Sequence, residues 1–472
     1  MSAPLLPAFE RWRAAGRRRR DLRRAWAALH PSRLLVVSFA GLIGTGTLGF
    51  RLLPGLTAEG VALGWVDALF MATSAVCVTG LTVVDTSADL TVAGQLWILL
   101  LMQLGGLGLL TFASGILLSV GRRLSLRHEA LVRGATDAVP QVDYRLLLRR
   151  VLAYTLGVEL LGFVLLWVAW ADRLGVVGAM WPALFHAVSA FCNAGFSIFG
   201  TGMMEERSAG FPMLIVMALV LLGAIGFLTL DEVGERTRAG WRRRQRLSLH
   251  TRFVIVATLV AAAAGALAFL LFEWERTLAG LPLRERLLNA LFAGFASRTA
   301  GFATVDYTAV DTPTALVTTV LMFVGGAPGS TAGGIKVTTI AVLVVLAVAR
   351  LRGRRNVSAF HRTIPDETLG RATGLAVLAG MVLVAGLFAV VAIEGEGASH
   401  GRFLPYMFEV VSAFSTTGLS MDLTRDLSPP GRVVLALLMF VGRIGVMTTA
   451  ASLALGSRAI PFRYAKEDVA IG

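Results

Sequence analysis

Stretches of 20 or more residues without a charged side chain recur along this chain, as over 90–121 and 208–230. About 20 consecutive apolar residues is what a helix needs to cross a bilayer. Eight long apolar runs stand out, at about 34–54, 93–120, 151–171, 208–230, 253–272, 314–349, 372–393 and 431–456. Four shorter ones, at about 65–79, 181–194, 287–300 and 404–417, lie between the members of successive pairs. A helix of about 14 residues covers roughly 21 Å, against a hydrocarbon core of about 30 Å. Each short piece therefore reads as a re-entrant helix that enters and turns back. Only 16% of the 472 residues are charged, where soluble chains carry about a quarter. A soluble enzyme, a disordered chain and a collagen-like fibre are excluded. The expected fold is an all-α integral membrane protein made of span, short helix, span units.

The formal net charge is +14, and Lys336 and Lys466 are the only lysines among the basic residues, the rest being arginine. Residues 121–150 and 236–252 hold seven arginines each and 350–371 hold six. The alternate loops lean acidic, with Asp85, Asp89, Glu205, Glu206, Asp306, Asp311, Asp422 and Asp426. The positive-inside rule then places both termini and the Arg-rich linkers in the cytoplasm of a multi-pass protein of the cell membrane. The basic segment 10–24 lacks the apolar core and cleavage site of a signal peptide and reads as an arm lying on anionic headgroups. Its place beside a span argues against a nucleic-acid partner. The chain divides into that arm (1–33), pore repeats at 34–120, 151–231, 253–349 and 372–456, linkers at 121–150, 232–252 and 350–371, and a tail at 457–472.

The four short pieces align on one glycine as ATSAVCVTGLTVVD, HAVSAFCNAGFSIF, FAGFASRTAGFATVD and VVSAFSTTGLSMD. The anchors Gly80, Gly195, Gly301 and Gly418 are 115, 106 and 117 residues apart. Alanine stands five before each glycine, and serine six before in all but the third, where Phe295 breaks the pattern. Cys77 and Cys192 share one repeat position, as paralogous packing residues do, and two thiols make neither a metal cluster nor a disulfide framework. Non-helical backbone at membrane depth survives only inside protein or along a water-filled path. Four extended turns in register can aim carbonyl oxygens at one axis and replace the hydration shell of a cation. Glycine permits the backbone angles this needs. The short helices would turn their negative ends to the same axis. The alternative is that the glycines only let helices pack closely.

These four motifs resemble the filter segments of the Trk/Ktr/HKT superfamily of potassium transporters, and the eight-span layout is similar to the bacterial KtrB type. The resemblance covers about residues 34–456. It implies four span–pore helix–span repeats around a single pore, with eight transmembrane helices and four re-entrant pore helices. The filter would be lined by Thr79 and Gly80, by Asn193, Ala194 and Gly195, by Thr299, Ala300 and Gly301, and by Thr416, Thr417 and Gly418. Potassium would bind their carbonyls, and glycine at all four anchors goes with the potassium rather than the sodium type. Ser415–Thr416 and Asp422 depart from the commonest fourth motif.

The sixth long run contains MFVGGAPGSTAGGIKVTT, which cannot hold a straight helix in lipid. It is not a phosphate-binding loop, because Ile335 separates Gly334 from Lys336. By resemblance, residues 325–335 form an intramembrane gate, with Gly325, Gly326, Gly329, Ser330, Thr331, Gly333 and Gly334 shaping it. Lys336 either joins the gate or reaches toward an interface. Arg443, near the middle of the last span, would help obstruct conduction; otherwise backbone carbonyls at a helix crossing neutralise it. Glu159, inside the third span, is a candidate for coupling or for a structural hydrogen bond. Glu409 and His186 read as support for the filter.

No nucleophile–base pair or metal cluster is recognisable, and HEALV at 128–132 fails the zinc pattern at its last position, so an enzyme is not expected. No polar stretch is long enough for a nucleotide-binding domain, and no organic cofactor is expected. The resemblance implies a homodimer with a KtrA-type cytoplasmic nucleotide-binding ring as partner, and sodium is a candidate activator on which the sequence does not decide. A sodium- or proton-coupled cation transporter is the alternative.

Overall fold

The computed structural model describes residues 31–108, 144–238, 247–395, 403–446 and 449. The basic arm (almost all of 1–33), most of the linker 121–150, part of 232–252, the end of the fourth repeat and the tail 457–472 lie outside the described residues. The regular elements described are helices apart from a hairpin pairing Ser358–Ala359 with Arg362–Thr363.

Each repeat opens with a helix long and apolar enough to span: Arg33–Leu52, Leu148–Leu174, Leu249–Phe272 and Asp366–Glu394. The short helices follow at Trp65–Val76, Met180–Cys192, Leu283–Ala296 and Phe403–Ser415. They fall on the four expected pieces. The second spans are less regular. Val92–Gly108 runs up to the edge of what is described, and Pro429–Ile444 ends at Gly445. The run 208–230, expected as one span, breaks after Ala224 into Gly210–Ala224 and Phe227–Arg238, bent by 102°. Gly226, at φ 84°, makes the corner. The third repeat breaks where expected, with Thr312–Phe323 and Val337–Leu351 flanking the glycine-rich loop.

Local signals set several starts. Asp311 caps Thr312–Phe323 and Ser428 caps Pro429–Ile444, each followed by proline in the first turn. The surface is apolar, as lipid contact demands: Val260 is 63% exposed and Phe388 74%.

The repeats close into a circle, each tied to the next by its own contact. Trp181 of the second short helix donates to Gln95 Oε1 of the first repeat at 2.7 Å. Asn289 of the third short helix donates to the Arg207 carbonyl of the second repeat at 2.8 Å. Tyr307 of the third repeat packs on Phe408 of the fourth short helix, centroids 5.5 Å apart. Arg432 of the last span pairs with Asp67 of the first short helix at 2.5 Å. A second regularity lies within repeats. Gly105, Gly223 and Gly442 each press against the carbonyl four residues before the anchor glycine, of Val76, Phe191 and Phe414, where a Cβ would not fit. Close packing is thus the role of these second-span glycines.

Candidate functional site

The four short helices end at the centre of the circle, and each is followed by the same two backbone conformations. The residue two before the anchor is left-handed: Val78 (φ 57°), Asn193 (58°), Thr299 (62°) and Thr416 (49°). The anchors Gly80, Gly195, Gly301 and Gly418 have φ of 95°, 71°, 76° and 91°. Left-handed backbone costs a non-glycine residue about 1–2 kcal/mol, most for a β-branched one. Hydrogen bonds back to each helix hold it. The N–H groups of Thr79, Ala194 and Thr417 donate to the carbonyls of Ser74, Ser189 and Ser412 at 2.8, 2.8 and 2.9 Å. In the third repeat Ala300 donates to Ala296 at 3.2 Å instead. The Ser74 and Ser412 hydroxyls also accept the N–H of Gly80 and Gly418, both at 3.1 Å. The Ser189 hydroxyl instead donates to the Phe196 carbonyl at 2.8 Å, so each repeated serine ties down its segment through a hydroxyl that Phe295 lacks.

The anchors form a closed ring. A Cβ on Gly80 would meet the Ala194 carbonyl, and one on Gly195 would lie 2.8 Å from Gly301 Cα. One on Gly301 would meet the Thr417 carbonyl, and one on Gly418 the Thr79 carbonyl. So each glycine is enforced twice, by its φ and by its neighbour's backbone. The buried hydroxyls of Thr79, Thr299, Thr416 and Thr417 have no protein partner, leaving oxygens free around the ring. Arg298, three before Gly301, turns away: its guanidinium donates to the Thr258 carbonyl at 3.2 Å. Both cysteines are free and buried.

Behind the ring, Glu409 of the fourth short helix accepts from the Ser420 hydroxyl, the Met421 N–H at 3.1 Å and the Thr424 hydroxyl at 2.8 Å. It staples the segment that follows Gly418. His186 bonds the Pro182 carbonyl and the Ser197 hydroxyl, both at 2.8 Å, inside an aromatic box with Trp170 and Phe199. Outside the spans, Asp85 accepts from Ser87 N–H and Oγ at 2.8 and 2.6 Å. Burial tends to raise its pKa, but these bonds, the Ala88 N–H and Arg425 outweigh burial and hold it below the usual carboxylate value.

The glycine-rich loop lies against the ring. It closes on itself through Gly325 N–H to Ile335 (2.8 Å) and Val337 N–H to Gly326 (3.1 Å). Cβ atoms on Gly333 and Gly334 would touch Thr416 and Ser415. Thr331 is its hub. The Thr331 hydroxyl accepts from Asn193 Nδ2 at 2.8 Å and donates to the Phe191 carbonyl at 3.2 Å. The Thr331 carbonyl accepts from Arg443, whose other nitrogen donates to Gly105 at 3.3 Å. Backbone carbonyls neutralise this buried cation, as one of the two readings expects, and one of those carbonyls belongs to the loop. Gly325 to Gly334 and Arg443 are thus brought together, whereas Lys336 reaches back to the Ala332 carbonyl at 2.6 Å and contributes to the loop's own shape.

Several participants were not expected. The broken second span grips the loop through Ala327 N–H to Ala224 (2.9 Å), Thr331 N–H to Gly223 (3.2 Å) and Phe227 N–H to Gly329 (3.0 Å). Glu159, without an obvious partner in sequence, accepts from Gln103 at 2.9 Å. Val78 was identifiable from the repeat register, two before its anchor glycine.

A family model described as TrkH, cation transport protein, matches residues 35–458. The Ktr system potassium uptake protein B of Vibrio alginolyticus is 35% identical over 442 residues, covering 93% of this chain and 94% of the relative. The potassium/sodium uptake protein NtpJ of Enterococcus hirae is 32% identical, covering 94% and 98%. The crystal structure of the potassium transporter TrkH from Vibrio parahaemolyticus has the same fold, with a TM-score of 0.70 at 20% identity, over 90% of this chain and 86% of that one. Family model, relatives and fold agree on one assignment: this chain belongs to the TrkH family of cation transport proteins, multi-pass membrane transporters and not enzymes.

Proposed function

We propose that this protein takes up potassium through the ring of Gly80, Gly195, Gly301 and Gly418, closed on one side by the loop 325–335 and Arg443. The closed ring is the observation that carries the reading. Its neighbouring Thr79, Asn193–Ala194, Thr299–Ala300 and Thr416–Thr417 would supply carbonyl and hydroxyl oxygens to a dehydrated cation. The negative ends of four short helices would favour positive charge there. Arg443 lies where a fixed cation would oppose the permeant one. Releasing the loop would require Thr331 to leave Asn193, Phe191 and Arg443 together.

The relatives named for potassium uptake support the choice of ion, and the one named for potassium and sodium makes sodium the second ion to test, as activator or passenger. The names of the Ktr relatives place them in a multi-component system. We extend that to a KtrA-type cytoplasmic nucleotide-binding ring, a homodimer in the cell membrane, and the Arg-rich linkers on the cytoplasmic side. The test is potassium against sodium influx into vesicles holding the protein and its Gly80→Ser variant. Weaker discrimination in the variant is expected; an unchanged ratio would remove Gly80 from the filter.

A further inference from the structure

We infer that Glu159 is a positioning residue for the second filter segment, acting through Gln103 on Cys192; this rests on the proposed role of the glycine ring. Glu159 lies on the long span of the second repeat and is buried. Its Oε2 accepts from Gln103 Nε2 at 2.9 Å, and Gln103 Oε1 accepts from the Cys192 thiol at 3.4 Å. Glu159 Oε1 lies 4.0 Å from the same sulfur. Cys192 is the last residue of the second short helix, directly before left-handed Asn193. A buried carboxylate at membrane depth is retained at a cost, which argues for more than filling space.

The surroundings leave little slack. A Cβ on Gly106 would lie 2.9 Å from the Cys192 sulfur, and one on Gly105 would collide with the Val76 carbonyl. The Gly105 carbonyl takes Arg443. One turn of Val92–Gly108 therefore touches the ends of the first and second short helices and the gate arginine. Gln103 sits on that turn, so its position is transmitted to Asn193 and thence to Thr331. The third repeat has a parallel: Arg298, at the repeat position of Cys192, is tied to Thr258 on its own long span.

The test uses the full-length protein in vesicles and reads the potassium-to-sodium flux ratio. Glu159→Leu and Gln103→Leu are each expected to lower it about three- to tenfold, the worth of one buried hydrogen bond. The double variant should lose no more than either alone. Glu159→Gln keeps an acceptor for Gln103 and should retain most of the ratio, which loss of charge alone would not allow. A purely structural role would lower yield or thermal midpoint and leave the ratio untouched. A wild-type ratio in folded Glu159→Leu overturns the inference, as does equal loss in Glu159→Gln. Should Glu159→Leu fail to assemble, Gln103→Leu decides by the same criterion. Gly80→Ser runs alongside: if its ratio is also unchanged, the ring reading itself fails, and the two failures are told apart.

Discussion

At the scale of single residues, the ring explains why four positions are glycine and why serine recurs six before. Gly80→Ser adds a Cβ facing the Ala194 carbonyl at a φ of 95°. At about 1–2 kcal/mol of strain, the segment should shift and discrimination between potassium and sodium should fall roughly tenfold, read by flux competition. Ser74→Ala removes the acceptor of the Gly80 N–H; selectivity should fall less, by about two- to fivefold. Asp85 carries a pH signature. Its folded pKa is depressed, so its contribution to stability is complete above the ordinary carboxylate range and is lost as pH falls through the folded value. Thermal midpoints measured from pH 7 to pH 3 should fall less for Asp85→Asn than for the parent. The anchor glycines and the serine pattern were legible in the sequence because register repeats them. The left-handed φ of Val78 could be inferred only through that register, because a valine announces nothing about φ by itself.

At the scale of elements, the informative features are the two broken spans. The break in the third repeat was legible, since glycines and a proline cannot sustain a helix in lipid. The bend at Gly226 was not: Gly223 and Gly226 in an uncharged run are compatible with a straight span. It is the partner loop that fixes it, through Phe227 N–H to Gly329 and Ala327 N–H to Ala224. The two breaks are thus joined by hydrogen bonds. Thr331→Val removes the hydroxyl that meets Asn193 and Phe191. Losing those buried bonds costs about 1–3 kcal/mol, so basal flux without any partner should rise about tenfold. Unchanged flux would mean that the loop does not close the path.

At the scale of the whole molecule, four similar units close a circle, and the circle makes the site. The period of the anchors made this architecture readable, whereas the contacts between repeats were not, because they pair residues far apart in the chain. Arg432 with Asp67 is the clearest case, joining the last repeat to the first. Both side chains are partly buried, so Arg432→Gln should cost about 1–2 kcal/mol, between an exposed and a buried pair. A thermal midpoint lowered by about 2–4 °C per kcal/mol would register it.

The most direct measurement is potassium and sodium influx into vesicles containing the purified protein, side by side with Arg443→Ala. The ring and its gate predict potassium-selective flux, low in the parent and raised in Arg443→Ala with selectivity preserved, because the arginine touches the loop and not the ring. Flux that does not prefer potassium, or silence in both proteins, would contradict a glycine-ring pore closed by this loop.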